Sequence, residues 1–178
     1  MKKKVLICVV AVVLVLCCAV GGTIAWLTAT TATVVNTFTV GDINIELTET
    51  TTDYKMVPGN IITKDPKVTV KAGSEACWLF VKVKESTNLS DFIGYAIVDD
   101  WKPLADVAGV YYREVGATAA DQVFEVLAGS KVTVKETVTK EQMNALKEAN
   151  NYPTLTFTAY AVQKDNIDDP ATAWSKIN

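Results

Sequence analysis

The sequence predicts an all-β fold with few short helices, a jelly-roll-like antiparallel β-sandwich placed after an N-terminal signal helix. Segments such as residues 42–47 and 67–71 alternate polar and apolar side chains, which is typical of strands with one buried face. Gly109, Gly116 and Gly129 stand at the ends of candidate strands, where turns are needed. About eight to ten short strands of this kind favour a sandwich over any helical fold.

The first 25 residues have the three-part build of a secretory signal peptide. Three lysines precede an unbroken apolar run over residues 5–20, and two glycines end that run. Thr23 and Ala25 then place small side chains three positions and one position before a cut. We therefore predict that a signal peptidase cleaves between Ala25 and Trp26.

A retained membrane anchor is the alternative to cleavage. Residues 5–27 are apolar and long enough to span a bilayer, so the protein would then contact the membrane through its uncleaved leader. With cleavage, the chain divides into a signal peptide (1–25), an N-terminal donor-type strand (26–40) and a single β-sandwich domain (41–178).

The strands follow in order along this domain. Residues 26–52 are rich in threonine and valine, which favour extended structure. Residues 51–65 are expected to form a loop with a turn at 58–60, and the apolar run 77–83 predicts a central strand covered on both faces. Further strands are predicted at residues 95–98, 110–115, 122–127, 131–138 and 155–162.

One helix is predicted from its N-terminal signals. Thr139 and Gln142 form a capping box, and Val138 and Met143 are spaced as a hydrophobic staple. The helix should run from this box to about Asn150.

The acidic run at residues 165–169 has two interpretations. Asp169 can cap a short C-terminal helix that begins at Pro170 and docks Trp174 on the body of the domain. The same carboxylates could supply oxygen ligands to calcium, although the spacing of an EF-hand loop is missing.

The sequence offers no positive case for an enzyme. The chain has no histidine, which excludes histidine-based nucleophilic triads and the H-E-x-x-H zinc site. Three cysteines, Cys8, Cys17 and Cys18, lie in the leader, so Cys77 has no intrachain partner after cleavage and is expected to be a core residue. The acidic net charge of −3 argues against nucleic acid as a partner. We expect no cofactor and no metal.

Two stretches near the N-terminus resemble a known family. Residues 22–28 (GTIAWLT) and 36–43 (NTFTVGDI) look like the signal and first strand of TasA/camelysin-type proteins, which Gram-positive bacteria export with a SipW-type signal peptide. Weaker matches follow at residues 58–60, 64–70, 74–83 and 159–174. The resemblance implies a jelly-roll subunit of extracellular fibres in a biofilm matrix.

The same resemblance implies how the fibre grows. In TasA-like fibres the N-terminal strand of one subunit inserts into the sandwich of the next, giving a head-to-tail homopolymer to which other matrix proteins can be added. In this chain the strand would come from residues 26–40, which contain no charge, glycine or proline. The candidate polymerisation residues are Leu27, Thr31, Thr33, Val35, Thr37, Phe38 and Val40.

One departure from the family and two alternatives remain. Camelysins are labelled metalloproteases, but without histidine a histidine-ligated zinc site cannot be carried over. A membrane-anchored monomeric binding module or adhesin would use the uncleaved leader. A secreted hydrolase would use paired carboxylates such as Asp99 and Asp100.

Overall fold

The computed structural model describes residues 41–51 and 54–177, together with Lys3. Within these residues the predicted all-β class with few short helices is confirmed, and ten strands form three antiparallel sheets. No helix in this part of the chain is both long enough and apolar enough to cross a membrane. The strands are β1 (Ile45–Thr48), β2 (Ile61–Thr63), β3 (Lys67–Val70), β4 (Cys77–Glu85), β5 (Ile93–Gly94), β6 (Lys102–Pro103), β7 (Val110–Val115), β8 (Gln122–Glu125), β9 (Lys131–Val134) and β10 (Leu155–Gln163).

The strands build two layers. Sheet β1–β3–β8 continues into sheet β2–β9–β5, because β2 leads into β3 and β8 leads into β9 through a 3-10 turn at Ala128–Ser130. Backbone hydrogen bonds from Lys64 to Ser130 and from Val126 to Pro66 bridge the junction. The second layer is the four-stranded sheet β10–β4–β7–β6.

The central strand β4 has apolar residues on both of its faces, as its continuous apolar sequence predicts. Leu79 and Val81 point into the core that also contains Val68 of β3. Trp78 and Phe80 point the other way, into a second cluster with Trp174. Burying side chains of this size stabilises the fold by roughly 1.5–3 kcal/mol each. The indole N–H of Trp78 also donates a hydrogen bond to the carbonyl of Ile167, at 2.9 Å.

The predicted capping box is present at the start of the longest described helix, α2 (Lys140–Ala149). The Thr139 hydroxyl accepts from the backbone N–H of Gln142 at 3.3 Å, and the Gln142 side chain accepts from the backbone N–H of Thr139 at 2.8 Å. Val138 and Met143 pack in one small cluster, as a staple requires. The helix ends at Asn150, whose φ of 47° is left-handed.

The C-terminal helix α3 (Pro170–Trp174) is also as predicted, since the Asp169 carboxylate accepts from the backbone N–H of Thr172 at 2.9 Å. The four-residue helix α1 (Leu89–Phe92) has no counterpart among the sequence predictions.

Three predicted boundaries are wrong for local reasons. The predicted loop at residues 51–65 contains β2, which is too short to show a period. The predicted strand at 95–98 makes one isolated bridge, between Ile97 and Leu127. The strand predicted at 131–138 ends at Val134, because the N–H of Val138 turns back to the carbonyl of Lys135.

Candidate functional site

Among the strands that the structure describes, β10 has a hydrogen-bonded neighbour on one side only, which is β4. Backbone hydrogen bonds join Ser86 to Thr154 at one end of the β10–β4 ladder and Lys164 to Ala76 at the other. Because hydrogen-bonded pairs recur at every second residue, the even-numbered residues of β10 form the hydrogen-bonded pairs with β4. Because antiparallel pairing alternates, the odd-numbered residues direct their N–H and C=O groups away from β4. The residues with groups on this open edge are Leu155, Phe157, Ala159, Ala161 and Gln163.

The β10 edge carries none of the usual protection against strand pairing. Its nine residues, LTFTAYAVQ, include no charge, no glycine and no proline. Among the residues that the structure describes, every other edge strand is four residues or shorter. Of these, β1 and β8 carry Glu46 and Glu125, and β6 consists of Lys102 and Pro103. Natural sheets use short length, charge and proline to block edges, so β10 is the edge best suited to accept a strand.

An apolar cleft of about 560 Å³ lies beside the first residues of β10. Its walls come from both layers of the sandwich, and its size falls in the range of about 300–1,000 Å³ that binding pockets occupy. The lining residues that matter most are Met56, Ile62, Leu89, Ile93, Val132 and Leu155.

Inward-facing residues of β1 and β10 are incompletely covered. Leu47 lies opposite Val68 and so faces the core side of its sheet, yet it is 36% exposed. Ile45 of β1 and Phe157 of β10 pack against the same core and are both half-buried. The edges of β1 and β10 therefore border one incompletely filled side of the sandwich.

A buried ion pair lies at the cleft. Lys64 is 7% exposed, and its Nζ lies 2.5 Å from Oε1 of Glu49. The hydroxyl of Tyr54 donates a hydrogen bond to the same carboxylate at 2.7 Å. The pKa of Tyr54 is raised mainly by burial and, to a smaller extent, by this hydrogen bond. The ammonium also lies 5.0 Å from the ring centre of Tyr54 and 5.5 Å from that of Phe157. Lys64 thus connects the cleft to the β10 edge.

The sequence-predicted cleavage and polymerisation residues lie outside the described part of the chain. These are Thr23, Ala25 and Trp26, with Leu27, Thr31, Thr33, Val35, Thr37, Phe38 and Val40. Sequence reasoning did not identify the open edge of β10 or the Lys64–Glu49 pair as features of the fold. The uncharged run at 155–163 is the signal that could have indicated the edge.

Asp99 and Asp100 line one cleft of about 460 Å³ together with Glu114, and this lining does not include Asp169. Asp100 is exposed and lies 3.8 Å from Arg113, while Asp169 caps α3. Among residues 41–51 and 54–177, no three histidine, cysteine, aspartate or glutamate side chains are grouped to hold a metal ion. Burial raises the pKa of the Cys77 thiol to about 11, which keeps it protonated at neutral pH. These residues do not fit a catalytic zinc centre.

Comparison with known proteins places the chain in a family. A solved structure of the partial N-terminal region of an enterococcal surface protein is similar, with 15% sequence identity and a TM-score of 0.33. That match covers 80% of this chain and 42% of the other, and it assigns no function. A search of curated proteins finds no match. The family model described as camelysin metallo-endopeptidase matches residues 1–92, more than half of the sequence. The chain therefore belongs to the camelysin family, which includes the TasA-type matrix proteins.

Proposed function

We propose that this protein is a structural subunit of extracellular matrix fibres, in which each subunit accepts the N-terminal strand of a neighbour along its β10 edge. The observation that carries the proposal is the nine-residue uncharged edge beside an apolar cleft. A strand from residues 26–40 would pair with the open backbone groups of β10 and place alternate side chains in the cleft.

The composition of both partners supports this pairing. Residues 26–40 and 155–163 are uncharged and rich in β-branched, aromatic or small apolar residues, so neither strand opposes the other electrostatically. A donor segment and an acceptor edge at different places on one chain make a head-to-tail contact. Such a contact propagates as a filament and does not close into a dimer.

The proposed role is not enzymatic. Without histidine, the chain has no histidine-ligated zinc site of the kind that the family's metallo-endopeptidase description implies. Membership of the camelysin family supports a location at the cell surface or in the extracellular matrix. Signal peptidase cleavage after Ala25 would free the donor segment.

Electron microscopy of the purified chain that begins at Trp26 tests the proposal. We expect filaments from this chain and monomers from a chain that lacks residues 26–40. Filaments formed equally well without residues 26–40 would refute strand donation. A chain that is always isolated with its leader intact and stays monomeric would instead favour the membrane-anchored binding module, for which the cleft would be the binding site.

A further inference from the structure

We propose that Lys64 determines which strand the apolar cleft beside β10 accepts. Its ammonium group would donate a hydrogen bond to a threonine hydroxyl on the inserted strand of a second copy. This inference rests on the proposed function and concerns which side chains the cleft admits. It starts from the position of Lys64, a 7% exposed cation in a cleft whose other walls are largely apolar.

The hydrogen-bonding capacity of Lys64 is only partly used. An ammonium group has three donors. Among the residues that the structure describes, Glu49 is the one acceptor within hydrogen-bond distance of Lys64 Nζ. The ring centres of Tyr54 and Phe157 lie 5.0 Å and 5.5 Å from Nζ, and their faces attract the cation without offering it an oxygen lone pair. While the cleft is open, water can take the remaining donors, but an inserted strand would expel that water.

The charge balance decides which occupant can replace the water. Glu49 already neutralises Lys64, so a carboxylate on the inserted strand would bring an excess negative charge into a partly dry site. A valine or leucine would leave donors unpaired, which is also costly. An uncharged oxygen satisfies both conditions, and a threonine hydroxyl supplies one while its methyl group contacts the apolar walls.

The N-terminal segment has side chains of this type along one face. Residues 31, 33, 37 and 39 are threonines, and in an extended strand odd-numbered residues share one face. Residues 26–40 contain no carboxylate. One of these four threonines is expected to lie against Lys64 in the assembled protein.

A double-mutant cycle in the chain that begins at Trp26 tests the inference. The donor changes are Thr31→Val, Thr33→Val, Thr37→Val and Thr39→Val, each alone, which keep the shape and remove the hydroxyl. The change in the cleft is Lys64→Met combined with Glu49→Gln, which removes both charges together. The glutamine side-chain oxygen at position 49 can still accept the hydrogen bond that the Tyr54 hydroxyl donates. The readout is the critical concentration for polymerisation. Lys131→Met, an exposed lysine on β9, is the matched control for loss of a lysine.

We expect one of the threonine changes to raise the critical concentration about tenfold or more, the loss typical of a hydrogen bond to a charged group. The same change should have little effect in the Lys64→Met/Glu49→Gln background, and Lys131→Met should leave the coupling intact. If the wild type polymerises and no threonine change raises the critical concentration, the inference is overturned and the proposed function still stands. An equal rise in both backgrounds would also overturn it. If the double variant does not fold, the four threonine variants alone still decide whether a threonine hydroxyl matters for assembly.

Discussion

Replacing Ala159 by proline should weaken assembly while leaving the subunit folded. The N–H of Ala159 points away from β4, so the substitution removes no hydrogen bond of the β10–β4 ladder. Proline is tolerated on edge strands when its missing donor faces outward. In the polymer, by contrast, the same N–H would bond to the inserted strand.

The size of the effect follows from this one donor. Proline at position 159 leaves a carbonyl of the inserted strand without its partner, and an unsatisfied buried acceptor costs about 1–3 kcal/mol. The critical concentration for polymerisation should therefore rise by about tenfold to a hundredfold. Sedimentation of polymer from a dilution series measures the critical concentration, and circular dichroism with a thermal melt measures the fold.

A matched control separates the β10 edge from edges in general. Val123 of β8 is 57% exposed and opposite Thr69, and its N–H also points away from its one neighbouring strand, β3. Val123→Pro should leave the critical concentration unchanged. Folded Ala159→Pro protein that polymerises like the wild type would refute the assignment of β10, as would a Val123→Pro variant that is equally impaired.

Three further predictions concern the stability of the subunit. Gly109 has a φ of +72°, and a Cβ there would lie 2.6 Å from the carbonyl oxygen of Val83. Gly109→Ala should therefore lower the free energy of unfolding by at least about 2 kcal/mol, as measured by denaturant titration. Thr139→Ala removes the capping box of α2 and should lower the same quantity by about 1 kcal/mol, whereas an unchanged midpoint would show that the helix end does not limit stability. The backbone hydrogen bond from Thr172 lowers the pKa of Asp169, so its contribution is present above about pH 3.9, the unfolded value, and is lost as the pH falls through the lowered folded value. Asp169→Asn should therefore reduce the loss of stability between pH 5 and pH 2, and an identical acid titration of both proteins would contradict this.

Local chemistry made much of the fold predictable. The capping box at Thr139 and the cap at Asp169 act within a few residues, so the sequence determines them without tertiary information. The apolar runs of β4 and β10 are long enough to indicate strands on their own. By contrast, β2 has three residues and no detectable period.

The proposed acceptor site depends on non-local pairing, which the sequence does not show. Strands β4 and β10 both have nine residues, and their lengths do not show that β4 also pairs with β7 while β10 is an edge of the described sheet. Lys64 and Glu49 are fifteen positions apart, with β2 between them in the sequence, and their side chains meet only in the folded chain. A lysine in a predicted loop is normally a solvated surface residue, so its burial could not have been expected.

Amide hydrogen exchange in monomers and assembled polymers tests the central claim most directly. In the monomer, the N–H groups of Thr158 and Tyr160 should be protected by pairing with β4, and those of Phe157 and Ala159 should exchange quickly. In the polymer, we predict that Phe157 and Ala159 become protected while Val123 of β8 does not change. Equal exchange at Phe157 and Ala159 in the two states would contradict strand acceptance along β10.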